Sequence, residues 1–222
     1  MSQINSRLVY RNAYRAMVKA GINPAQSILT QSYLRLEVVA SATKTQYQFG
    51  VLINDAPQGN AVRPDEQRLQ LQDSFFVSQV SFFTAVTTNA TDTNFSLDTY
   101  PNPRKYSTAG ASQALYNLYN GYMSLSVNNR TIVSAWDMYR HLEINQTQQN
   151  VTPVATTVNL DQISGATSTG VACEPNWVLI GSKNNNLTIT LPGAISTLQA
   201  SSTTVLVLIL RGVLAQNSSG IS

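Results

Sequence analysis

The run Val205 to Leu214, VLVLILRGVL, carries apolar side chains at both odd and even positions. Successive side chains of a strand point to opposite faces, so a run of this kind needs cover on both. It predicts a central strand. Its longest apolar stretch, Val205 to Leu210, is far short of the ~20 residues with which a helix spans a bilayer. Phe75 to Val86, FFVSQVSFFTAV, has the same two-sided character, so both faces of that strand should also be covered.

The remaining β signals are one-sided. In Tyr33 to Ala40, Leu34, Leu36, Val38 and Ala40 alternate with Tyr33, Arg35 and Glu37, the period of a half-buried strand. Tyr47, Phe49, Val51 and Ile53 repeat it before Pro57 and Gly59 open a loop, and Leu69 and Leu71 resume it. Tyr122 to Val127 and Thr131 to Trp136 flank Asn128-Asn129 and predict a hairpin. Trp177 to Ile180 and Leu187 to Leu191 add two strands. Ser112 to Asn120 fits a short helix or an aromatic strand, and periodicity does not decide between them. Ser134 with Asp137 predicts a cap for a short helical turn through His141. Asn89 to Arg104 reads as a long excursion, and Gln146 to Gly170 as a loop or flap. Eight to ten strands, no fixed-period repeat and no regular intervening helices predict a mainly β body over 31–222. Its expected form is a single antiparallel β-sandwich or jelly roll.

Ahead of that body, residues 1–30 read as a basic N-terminal helical arm. Arg7, Arg11, Arg15 and Lys19 recur every four residues between Ile4 and Gly21, along one face of a helix. Val9, Tyr10, Ala13, Ala16, Met17 and Ala20 fall opposite, with Leu8 and Val18 as exceptions. Ser2 or Asn5 can cap the start, and Gly21 then Pro24 give the stop. All 11 acids lie at Glu37 or beyond, so the front of the chain is purely cationic. Two readings stand for the stripe. It is the solvated face of an amphipathic helix packed on its own sheet, or it contacts phosphates, an anionic membrane or another protein. Under the second reading Arg7, Arg11, Arg15 and Lys19 make assembly or anion contacts, and Val9, Tyr10, Ala13 and Met17 form an apolar assembly face.

Composition narrows the chemistry. Charged residues make up 11% of the 222, against about 25% in an ordinary soluble domain, and Asn, Gln, Ser and Thr replace them. Such a surface suits burial against other protein, where charge is depleted. One cysteine, Cys173, excludes an internal disulfide and a thiolate zinc cluster. It reads as a small packed residue. No secretory leader is recognisable, which points to synthesis in a cytoplasm. The lone histidine, His141, lies near Ser134 and Asp137, but no Gly-x-Ser-x-Gly elbow accompanies them, so it reads as structural. The carboxylates stand at no diagnostic spacing, and Gly165 to Gly170 lacks the lysine of a phosphate loop. The expectation is a protein that is not an enzyme, with no metal, no cofactor and no small-molecule substrate.

A basic N-terminal arm before a charge-poor, Asn/Thr/Gln-rich β body resembles virion shell proteins, bacteriophage structural proteins in particular. The blocks that carry the resemblance are Arg68 to Phe83, Asn176 to Pro192 and Thr203 to Asn217. It implies a jelly-roll capsid or auxiliary capsid subunit, made in the host cytoplasm and located in the virion. Its implied partners are copies of itself and other virion proteins, with the arm touching packaged nucleic acid or an internal membrane. The alternative is a carbohydrate- or receptor-binding module of a phage fibre or surface adhesin, using Tyr100, Tyr106, Tyr116, Tyr119 and Tyr122.

Overall fold

The computed structural model describes residues 6–51, 68–88, 95–103, 105–106, 108–143 and 170–218. Helix α1 (Ser6–Lys19) precedes β1 (Ile28–Val39), β2 (Gln46–Val51) and β3 (Ser74–Thr87). A short α2 (Ala111–Leu115) runs into a 3-10 turn, Tyr116–Leu118. Then come β4 (Tyr122–Val127), β5 (Arg130–Asp137), β6 (Val171–Ile180), β7 (Asn185–Thr190) and β8 (Thr203–Gln216).

The strands pair as nested antiparallel couples: β1 with β8, β2 with β7, β3 with β6, β4 with β5. Alternate couples fall in opposite sheets, giving orders β1-β8-β3-β6 and β2-β7-β4-β5. A long antiparallel ribbon rolled up in this way is a jelly roll. The expected fold class is therefore observed, helix included. As expected, β8 is central, held between β1 and β3.

The core lies between the sheets. Leu34 and Leu36 of β1, Leu206, Leu208 and Leu210 of β8, and Phe75, Val80 and Phe82 of β3 face Phe49, Leu125, Leu187 and Ile189 of the second sheet. β8 keeps one parity throughout, but β3 changes parity between Phe75 and Val80. The cause is a bulge: Val77 opposes Gly212 and Gln79 opposes Arg211, leaving Ser78 as an extra residue. Its Oγ donates to the Arg211 carbonyl at 3.1 Å. Here β3 crowds β8, since a Cβ at Gly212 would lie 1.9 Å from the Phe76 carbonyl oxygen.

The first sheet is also apolar outside, as the two-sided runs require. Phe76, Val213 and Ala215 are buried beneath α1, and Phe83, Ala85, Val205 and Val207 beneath Phe95 and Leu97. That second cover is part of the Asn89–Arg104 excursion. Residues 89–94 and 104 of it lie outside the described residues, as does most of Gln146–Gly170.

Several local expectations resolve clearly. Asn128 and Asn129 both take positive φ, 47° and 63°, as a two-residue hairpin turn matched to strand twist requires. The Ser112–Asn120 stretch is helical through Leu118 and then turns, rather than being extended. Asp137 caps the Met138–His141 turn by accepting from the Tyr139 amide at 2.9 Å, whereas Ser134 sits within β5. Leu69 and Leu71 do not form a strand. Leu69 is buried, the chain then turns, and Leu71 is exposed. Two alternating leucines are too few to outweigh a turn that delivers Asp73 to cap the Asn217 amide, 3.1 Å away. The boundary placed at residue 30 falls inside β1, whose pairing with β8 begins at Ile28.

Phe82 is fully buried and meets Tyr119 edge-on at 5.6 Å. We expect Phe82→Ala to lower unfolding free energy by about 3–5 kcal/mol, read as a lower urea midpoint at unchanged slope.

Candidate interaction surfaces

Helix α1 ends as its sequence dictates. Gly21 takes φ +76°, its amide donates to the Val18 carbonyl at 3.1 Å, and the Ile22 amide donates to Met17 at 3.0 Å. This paired bonding satisfies carbonyls that the helix end would leave open. Ile22 then packs with Met17 on the sheet. Ala13 and Met17 are fully buried against Phe76, Val213 and Ala215, with Val9 and Tyr10 half-buried beside them. The apolar face expected to serve assembly, Val9, Tyr10, Ala13 and Met17, is thus engaged within the chain. The physical reason lies in β3 and β8, whose outward apolar residues would otherwise meet water.

Arg7, Arg11, Arg15 and Lys19 all project to the exposed side. Among the described residues no carboxylate pairs with Arg11, Arg15 or Lys19. Three apolar side chains share this side: Leu8, Tyr14 and Val18, each about half exposed. Between the helix and β6 runs a groove of about 1140 Å³, lined by Leu8, Arg15, Lys19, Glu174, Pro175 and Val178 among others. The β6 side of the groove exists because that strand loops away from β3: Val77 pairs with Trp177, but Gln79 pairs with Ala172.

The outer face of the second sheet is of the opposite kind. Register places Gln46, Thr190 and Tyr122 in one row, Gln48, Thr188 and Ser124 in the next, and Gly50, Asn186 and Ser126 in a third. No charged side chain occurs in this three-by-three patch. Ser124 and Ser126 donate back to the Thr188 and Asn186 carbonyls at 3.5 Å. The sandwich therefore carries a cationic helix on one side and, on the other, this uncharged patch of amides and hydroxyls, bordered by Asp137 of β5.

The residues with chemical potential are turned inward. His141 is 2% exposed, and its Nε2 accepts from Trp136 Nε1–H at 2.9 Å. The proton of the neutral ring must then sit on Nδ1, which has no partner among the described residues. Burial, with the Arg140 charge adding to it, lowers the His141 pKa from 6.5 to about 4. A ring held neutral and enclosed, with its Nε2 taken by an indole, is placed as packing rather than as a base. Cys173 is buried, and burial raises its thiol pKa to about 12. Tyr100, Tyr106 and Tyr119 are in the interior, Tyr116 is half-buried, and only Tyr122 of the five candidate sugar-stacking tyrosines is exposed. Among the described residues no group of three His, Cys, Asp or Glu is placed to hold a metal ion. No helix among them is long and apolar enough to cross a membrane.

Two expectations test these assignments. Met17→Asp should release α1 and expose Arg11 and Arg15 to trypsin, whereas Val18→Asp, on the open side, should leave the helix resistant; equal cleavage of both variants would contradict the docking. For His141, the unfolded ring gains a proton below about pH 6.5 and the folded ring only near 4. Its stabilising contribution is therefore complete above 6.5 and falls away between those values, by about 3 kcal/mol in total. Urea unfolding at pH 7 and pH 4.5 should show a smaller difference in His141→Gln than in the native chain. Compared with family models, curated proteins and solved structures, the chain matches none of them.

Proposed function

We propose that this protein is a non-enzymatic structural subunit of a virion, a capsid or auxiliary capsid protein that assembles into a symmetric shell. The observation that carries the reading is the contrast between the two outer faces of the jelly roll. One presents Arg7, Arg11, Arg15 and Lys19, the last three without a carboxylate partner among the described residues, and the other presents a patch without any charge. Charge-poor surface favours protein contact, since burying an unpaired charge is costly and burying a hydrogen-bonded amide is not. The cationic helix suits phosphates of packaged nucleic acid, an internal membrane's headgroups, or an acidic virion neighbour. Fold alone does not support this reading, because jelly rolls host many activities. The two-faced charge distribution is what favours a shell subunit over a carbohydrate-binding module. The tyrosines that would serve such a module are mostly buried.

Purified particles should contain the chain in many copies, and light scattering should show concentration-dependent association of the isolated protein. Thr188→Lys combined with Gln48→Lys should abolish that association while leaving the circular dichroism spectrum intact. A chain that stays monomeric at millimolar concentration and is missing from particles would refute the proposal.

A further inference from the structure

The outer face of the first sheet is covered in two places with a gap between them. On β8, Val213 and Ala215 lie under α1, and Val205 and Val207 lie under Phe95 and Leu97. Arg211 stands between these blocks, the one charged residue of β8. Register sets Tyr33 on one side of it and Gln79 on the other. The bulge at Ser78 brings Gln79 level with Arg211 and opens a cavity of about 350 Å³. Arg211, Gln79, Ser78, Gln31, Ser32 and Tyr33 line it.

Arg211 is only partly solvated, and burial lowers its pKa from the ordinary value. Its Nη1 donates to Ser81 Oγ at 2.8 Å. Among the described residues it has no carboxylate partner. Glu37, on the same face of β1, is already held by Arg35 at 2.5 Å. The Nε–H and Nη2–H edge of the guanidinium, the edge that matches two carboxylate oxygens side by side, has no bond among the described residues. The other polar lining groups are neutral amides and hydroxyls, so the cavity offers one positive charge and several hydrogen-bonding groups. That composition fits a single negative charge with two oxygens better than a dianion.

We propose that the Arg211 cavity is a binding site for one carboxylate group, held side-on by the guanidinium and flanked by the Gln79 amide and the Tyr33 rim. The carboxylate belongs either to a small free acid or to an Asp or Glu side chain of a second copy. The site does not depend on the shell reading, since its geometry lies wholly within one chain.

The test uses the full chain and acetate as probe, at pH 7, against chloride at matched ionic strength. The Arg211 Nε–H resonance should shift saturably with acetate and not with chloride, and thermal unfolding should move upward in parallel. Arg211→Lys keeps the charge but loses the fork, so acetate affinity should fall about tenfold or more. Gln79→Leu should weaken acetate as well, and it serves if the Arg211 variant fails to fold. Light scattering separates the two sources. Loss of self-association in acetate but not chloride identifies a second copy's side chain, and unchanged association with saturable acetate binding identifies a free acid. Superimposable acetate and chloride titrations, or native affinity in a folded Arg211→Lys, would overturn the proposal.

Discussion

Everything in this fold follows from placing β8 between β1 and β3 with neither of its faces free. Its inward leucines meet the second sheet across the core, and its outward valines and Ala215 need cover of their own. A two-layer sandwich normally leaves the outer face of each sheet to water, with polar residues alternating outward. Here the first sheet cannot do so, because Phe76, Phe83, Val207 and Val213 would be exposed together. Helix α1 and the Phe95–Leu97 stretch are the third layer that this excess of apolar residues requires. Each buried aliphatic or aromatic side chain there contributes about 1.5–3 kcal/mol. Docking of the helix is thus a consequence of β-strand composition as much as of helix amphipathicity.

This changes what a basic N-terminal segment means. A free cationic arm would combine an unpartnered apolar stripe with a charged one. In this chain the apolar stripe is part of the folded body, and the cations are presented as a fixed row on a rigid support. A fixed row loses less conformational entropy on binding than a flexible tail would. The same docking places the cations on the side of the molecule opposite the uncharged Gln/Ser/Thr patch. The polarity of the subunit is therefore a property of the sandwich as a whole.

The bulge in β3 links the scaffold to the Arg211 cavity. An extra residue at Ser78 reverses which β3 side chains face the core, so Phe75 and Phe82 both point inward despite opposite parity. It also requires the absence of a side chain at Gly212 and brings Gln79 beside Arg211. Continued regularly from Val77, the strand would have set Ser78 opposite Arg211 and turned Gln79 to the inner face, opposite Leu210. Bulges commonly re-aim side chains at functional positions, and this one does so between two apolar blocks.

Local pattern made much of this legible. Alternation in Tyr33–Ala40 and Tyr47–Val51, the Asn128-Asn129 turn, the helix stop at Gly21 and the two-sided character of β3 and β8 are all written in neighbouring residues. Each depends on the period of a strand or helix, or on backbone angles that only certain residues tolerate. Two alternating leucines at 69 and 71 misled for the same reason: short-range period says nothing of a turn fixed by Asp73 and the distant Asn217. What residues 1–222 determined unaided was the set of elements and the demand for cover on both sides of two strands. Only tertiary structure decided which cover met that demand, because β1 finds β8 across nearly the whole chain and no local signal encodes that encounter. The same holds for His141 and for Arg211. One is neutral because it is enclosed, and the other lacks an acid among the described residues because Glu37 is held by Arg35, and both facts arise only once distant strands lie side by side.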